Sequence, residues 1–185
     1  MSHSNLKFLF RTGAGKQDVV CPPEPVFANT AFELLLMIGV GVADAAEYGQ
    51  FTQLLKSIGE SEFYITENLG ATVTDREVPY HTIINLEDSF ATFKEKWEAF
   101  DPPFGWFINH FYLYGKSKDW GIYICEYPTI NIIGCKRELS QGFREVFSIK
   151  GNGYAEIRDF VAQEFSIAPA HLETFENHYV LPEKR

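Results

Sequence analysis

Between Phe104 and Cys135 the chain reads FGWFINHFYLYGKSKDWGIYICEYPTINIIGC, with nine aromatic residues from Phe104 to Tyr127 and only GKSKD and EYPT breaking the apolar run. β-branched and aromatic residues in short runs separated by turn-prone breaks predict a three-stranded antiparallel meander over about 104–135. Both faces of such a meander are largely apolar. It must therefore lie between two layers of other structure or offer one face to a partner.

Taking GKSKD as the first turn pairs Tyr114 with Asp119, so that His110 faces Tyr123 and Cys125 faces Ile108. Taking Tyr127-Pro128 as the second turn sets Cys125 opposite Ile130 and Cys135 opposite Trp120. This register sorts the side chains into two chemically different faces. One carries Trp106, Ile108, His110, Tyr112, Tyr114, Tyr123, Cys125, Tyr127, Ile130 and Ile132; the other carries Phe107, Asn109, Phe111, Leu113, Trp120, Ile122, Ile124, Glu126, Asn131, Ile133 and Cys135. The tyrosines gather on the first face, where an apolar ring with a polar tip suits a half-wet surface. Candidate binding residues are accordingly Trp106, His110, Tyr112, Tyr114, Tyr123 and Tyr127, with Glu126 at the rim beside Asn109 and Asn131.

Around the meander, Thr30 and Glu33 form a capping-box pattern ahead of FELLLMIGVGVADA, which predicts a helix over roughly 30–46, with a second over 49–58 ending at Gly59. Strand-type content recurs at 62–66, 71–74 and 80–86. Phe90, Phe93, Trp97 and Phe100 then follow at helical spacing, and helices are predicted at KRELSQGFREVF, YAEIRDFVAQEF and 169–179. The organisation is an N-terminal arm at 1–28, holding a short strand at Leu6–Arg11 and a turn at Gly13-Ala14-Gly15-Lys16, a single domain at 29–181, and a C-terminal tail at 182–185. Its predicted class is α+β, one mostly antiparallel sheet flanked by helices. At 185 residues the chain is long enough to bury about 70% of its unfolded surface in one core.

Several function classes find no support. Gly13 to Lys16 lacks the glycine five residues before the lysine and the hydroxyl after it that a phosphate loop requires; those places hold Arg11 and Gln17. His3, His81, His110, His171 and His178 show no metal-ligand spacing, so no metal and no cofactor are expected. Cys125 with His110 is the pair to test as nucleophile and base, but the register surrounds Cys125 with apolar neighbours that would raise its pKa, and it reads as a core thiol. No catalytic set emerges, and the chain reads as non-enzymatic.

The formal net charge is −9, from 25 acidic and 16 basic residues, which disfavours nucleic acid and suits a basic protein partner. Three cysteines cannot pair fully, and no apolar run is long enough to span a bilayer, so a cytoplasmic protein with no membrane contact is expected. In charge and class the chain resembles bacterial toxin-neutralising immunity proteins, a likeness that implies a protein-binding domain. Two other readings remain open at this point. One is a small-ligand binder or enzyme with a cleft over the meander; the other is a structural homo-oligomer subunit with the aromatic face buried against its own copy.

Overall fold

A computed structural model describes residues 2–12, 22–39, 42–71, 78–99 and 110–180. Six strands, β1 (Glu33–Ile38), β2 (Glu62–Glu67), β3 (His81–Asn85), β4 (His110–Tyr114), β5 (Trp120–Glu126) and β6 (Thr129–Cys135), form one sheet in the order β1-β6-β5-β4-β2-β3. Every neighbouring pair is antiparallel. Among the described residues six helices flank it: α1 (Ser2–Leu9), α2 (Ala45–Ser57), α3 (Phe90–Glu98), α4 (Arg137–Val146), α5 (Tyr154–Glu164) and α6 (Pro169–Tyr179). The protein is thus an α+β fold with β4, β5 and β6 as its central meander.

Each sheet face has its own core. Leu35, Phe63, Ile65, Phe111, Leu113, Trp120, Ile122, Ile124 and Ile133 pack under α2, α3 and α4 through Phe51, Leu55, Phe93 and Phe143. On the opposite face Leu36, Tyr64, Tyr112, Tyr114, Tyr123, Cys125, Ile130 and Ile132 pack under the arm, α5 and α6 through Leu9, Phe10, Phe27, Ile157, Val161, Phe175 and Tyr179. Sorting by face therefore holds for the described part of the meander. The first register does not: the pairs are His110↔Cys125, Tyr112↔Tyr123 and Tyr114↔Gly121, two residues away from the expected pairing. A slip of two preserves the parity of a pleated strand, so no side chain changes face. The second hairpin has the expected pairs, Cys125↔Ile130 and Trp120↔Cys135.

Two elements differ from expectation. The run Glu33-Leu34-Leu35-Leu36-Met37-Ile38 is strand β1 and not a helix. Leu35 enters one core and Leu36 the other, and a strand buried on both faces reads as a continuous apolar run, which a short helix also does. Gly39 at φ +127 ends the strand, and the next helix starts only at Asp44, whose side chain accepts from Ala46 N and Glu47 N. Near the N-terminus, Leu6–Arg11 contributes to helix α1 and a single bridge between Phe10 and Phe27, with Leu9 and Phe10 turned inward and Phe8 outward. The expected strand at 71–74, the turn at Gly13 to Lys16, the tail at 182–185 and the meander residues before His110, Trp106 and Asn109 among them, lie outside the described residues.

The arm is keyed to the sheet by absent side chains. Gly121 and Gly134 face each other across β5 and β6. Their missing Cβ atoms leave the space that Phe10 and Phe27 fill: a Cβ on Gly121 would lie 2.6 Å from the Phe10 ring, and one on Gly134 2.8 Å from the Phe27 ring. Tyr179 of α6 pins the same arm, accepting from Val26 N at 2.9 Å and donating to the Glu24 carbonyl. A valine at Gly134 is expected to push Phe27 off the sheet at a cost of about 1–3 kcal/mol. Limited proteolysis checks this: cleavage within 22–28 should accelerate in Gly134→Val while the meander stays protected.

Both sheet edges are covered at part of their outward backbone groups. On β3, the pairs Leu86 N→Ser61 O and Glu67 N→Tyr80 O orient His81, Ile83 and Asn85 outward. Lys96 Nζ then donates to Ile83 O at 3.0 Å, while Asp88 accepts from Asn85 N and its own N–H donates to Asn85 O. On β1 the outward Leu36 N–H donates to Asn152 O at 2.8 Å. Gly153, at φ +85, lies so close to Leu36 O that a Cβ would sit 1.8 Å from it. Covering edges this way opposes strand addition by another chain.

Candidate functional site at the loop end of the sheet

At one end of the sheet the fold gathers the C-terminal ends of β1, β2 and β5 with the N-terminal ends of β3, β4 and β6. The buried polar residues Glu67, Asn68, His110 and Asn131 lie here. At the opposite end one carboxylate organises the β4–β5 turn. Glu60, placed just after the α2 stop at Gly59, accepts from Lys116 N at 3.0 Å, Ser117 N at 3.1 Å and Trp120 Nε1 at 3.2 Å. That end is structural: Glu60→Ala would leave three donors of the turn without their acceptor, and a loss of about 2 kcal/mol is expected in denaturant unfolding.

On the tyrosine face, Asn68 Nδ2 donates to the Tyr123 hydroxyl at 2.9 Å, and that hydroxyl lies 2.9 Å from His110 Nδ1. Asn68 N also donates to the His110 carbonyl, locking the end of β2 to the start of β4. Burial pushes the His110 imidazole down to about 4, so it is neutral in the folded protein near pH 7. Farther along the same face Thr66 Oγ1 lies 2.8 Å from His81 Nδ1 and 3.1 Å from the Tyr114 hydroxyl. Tyr64 donates to Glu62 at 2.6 Å, and Lys116 pairs with the same carboxylate at 3.1 Å. On the other face Glu67 accepts from Tyr80 N at 3.0 Å.

These contacts place the sequence-derived candidates. His110, Tyr112, Tyr114 and Tyr123 are brought together, but inside the layer under the arm, α5 and α6, each no more than 3% exposed. An open surface built from these four residues is therefore corrected to a covered polar seam. The physical reason is that α5 and α6, two amphipathic helices following the sheet, need an apolar surface and find it in the tyrosine rings. Tyr127 and Glu126 are different: both remain partly exposed in the β5–β6 turn. The Tyr127 ring meets Phe165 edge-on, and its hydroxyl donates to Glu164 O at 2.9 Å.

Cys125 turns out to be the cross-strand partner of His110. Its Sγ, however, lies 3.0 Å from Pro128 O and 3.3 Å from Ile130 O, two acceptors that favour a protonated thiol and oppose a thiolate. Among the described residues no group of three or more His, Cys, Asp or Glu is arranged to hold a metal ion.

Charge is distributed unevenly between the two helical layers. In α2, α3 and α4 the carboxylates Glu47, Glu95, Glu98, Glu138 and Glu145 are matched by Lys56, Lys94, Lys96, Arg137 and Arg144. In α5 and α6 the five carboxylates Glu156, Asp159, Glu164, Glu173 and Glu176 share their helices with one arginine, Arg158, while Lys150 pairs with Glu156 from outside them and α1 adds Lys7 to the same layer. Sequence reasoning missed this asymmetry because it depends on which helices share a layer. It also missed Asn68 and Thr66, whose place beneath the sheet face depends on the β2–β4 pairing. Ile167, 89% exposed between α5 and α6, carries a local signal: a lone aliphatic residue in the turn Ser166-Ile167-Ala168-Pro169.

The fold and this end of it define a single antiparallel sheet between two helical layers, with a buried hydroxyl–imidazole seam and one acidic outer layer. Compared with models of protein families, with curated proteins and with solved structures, the chain finds no match in any of the three. No helix among the described residues is long and apolar enough to cross a membrane.

Proposed function

We propose that this is a non-enzymatic cytoplasmic domain that binds a basic protein partner, in the manner of a bacterial immunity protein that neutralises a toxin. The observation that carries the reading is the imbalance between the two helical layers: five carboxylates against Arg158 on α5 and α6 and Lys7 on α1, and matched charge on α2, α3 and α4. A one-sided negative field steers a positively charged protein toward one face and suppresses encounters elsewhere. Partial covering of both sheet edges favours a partner that meets helices and turns over one that adds a strand. The same covering weighs against a homo-oligomer built by sheet extension.

Affinity capture from the protein's own cell extract tests the reading. A near-stoichiometric basic protein released as salt is raised is the expected result, since exposed charge pairs are screened within about 10 Å at 0.1 M salt. Recovery of no stoichiometric partner, or of an acidic one held equally at low and high salt, would refute it.

A further inference from the structure

Ile38, the last residue of β1, and Ile167, in the turn between α5 and α6, are 46% and 89% exposed. Ile38 pairs with Ile130, and Gly39 N donates to Thr129 O, which sets the end of β1 against one side of the turn. Tyr127 reaches the other side, where its hydroxyl holds the carbonyl of Glu164, three residues before Ile167. Partly exposed Tyr127 thus belongs to a turn that is bonded to the end of β1 on one side and to the end of α5 on the other. Glu164 lies three residues before Ile167 at the end of α5, and Glu173 six residues after it on α6, two helices that carry one arginine between them.

We infer that Ile38, Tyr127 and Ile167 form the apolar centre of a docking surface, and that Glu164 and Glu173 form its charged border. The occupant is a segment of a basic protein that presents an aliphatic or aromatic side chain flanked by Lys or Arg. This rests on the proposed function and deepens it by locating the contact at the turn end of the acidic layer. The chemistry is complementary on both counts. Cations meet the bordering carboxylates, and an apolar anchor covers the side chains that water now touches, in the arrangement of an apolar centre and polar rim that protein interfaces use. Covering an exposed aliphatic side chain such as Ile167 is expected to tighten binding by about tenfold.

Two synthetic peptides of equal positive charge separate the possibilities, one an amphipathic Lys/Leu helix and the other containing Lys with Gly and Ser. Each is titrated into the full chain and followed by backbone amide shifts. The expected result is about tenfold tighter binding of the Lys/Leu peptide, shifts centred on Ile38, Tyr127 and Ile167, and loss of that advantage in Ile167→Ser. Ile83→Ser, which alters an exposed aliphatic residue on β3, should leave the affinity unchanged. Shifts spread along α5 and α6 with no preference for the Lys/Leu peptide would overturn this surface while leaving the charge-based reading intact. Absence of binding, or shifts on α2, α3 and α4, would overturn both.

Discussion

Replacing Tyr123 by alanine is expected to destabilise the protein by about 3–5 kcal/mol, the range for deleting a large aromatic side chain from a close-packed core. The ring is fully buried, sits 5.2 Å from Tyr112 and 5.7 Å from His110, and carries the hydroxyl shared by Asn68 and His110. Of the two arrangements the sequence allows for the tyrosine face, covered or open to a partner, the open one would let such truncations leave folding largely intact. Burial reverses that expectation. Tyr123→Phe separates the two contributions: it keeps the ring and removes only the hydroxyl, for an expected loss of about 1–3 kcal/mol. Denaturant unfolding of both variants gives the comparison, and an alanine variant within about 1 kcal/mol of wild type would show that the covering helices do not pack on this ring.

The second large effect is on pH dependence. His110 titrates near 6.5 when unfolded and is pushed down to about 4 by burial in the fold. Between those values the unfolded chain binds more protons than the native one, so stability falls as pH drops through the window and levels off below it. The penalty is absent above about pH 6.5 and amounts to roughly 3 kcal/mol at full extent, from 1.36 kcal/mol per unit. Glu62, held below the usual carboxylate range by its hydrogen bond from Tyr64 and by Lys116, adds an acid-labile contribution of the same sign. It is common to wild type and variant and cancels in a difference. His110→Asn keeps a hydrogen-bonding group near the Tyr123 hydroxyl and removes the titration. Its stability deficit relative to wild type, measured by urea unfolding, should therefore shrink by up to about 3 kcal/mol between pH 7 and pH 4. A deficit independent of pH would show that the imidazole is not shielded from protons.

Much of the architecture is legible in the residues, and the parts that are not share a cause. The division of the meander into two faces survives a register error of two residues because face depends only on parity. Helices α3 to α6 announce themselves by apolar spacing, and each contributes a buried stripe. The run Leu34-Leu35-Leu36 does not announce β1, since nothing local distinguishes a strand buried on both faces from a short buried helix. Whether α5 and α6 cover the tyrosines is a question of how the chain crosses the sheet, which periodicity within one element does not encode. The same holds for the loop end: Asn68, His110 and Tyr123 are 55 residues apart at the extremes and meet only through the pairing of β2 with β4 and β4 with β5. Among the described candidates, Glu126 and Tyr127, at the turn, are the two that keep access to solvent.

The placement of the acidic layer is the central claim, and charge reversal tests it most directly. Three baits, the wild type, Asp159→Lys with Glu173→Lys on α5 and α6, and Glu95→Lys with Glu138→Lys on α3 and α4, are compared by quantitative capture from the same extract. All four positions are exposed, so folding should be retained in each. The account predicts that the basic partner recovered by wild type falls at least about tenfold on the α5–α6 bait, as expected for disrupted electrostatic complementarity, and is retained on the α3–α4 bait. Equal recovery on all three baits, or a loss confined to the α3–α4 bait, would contradict it.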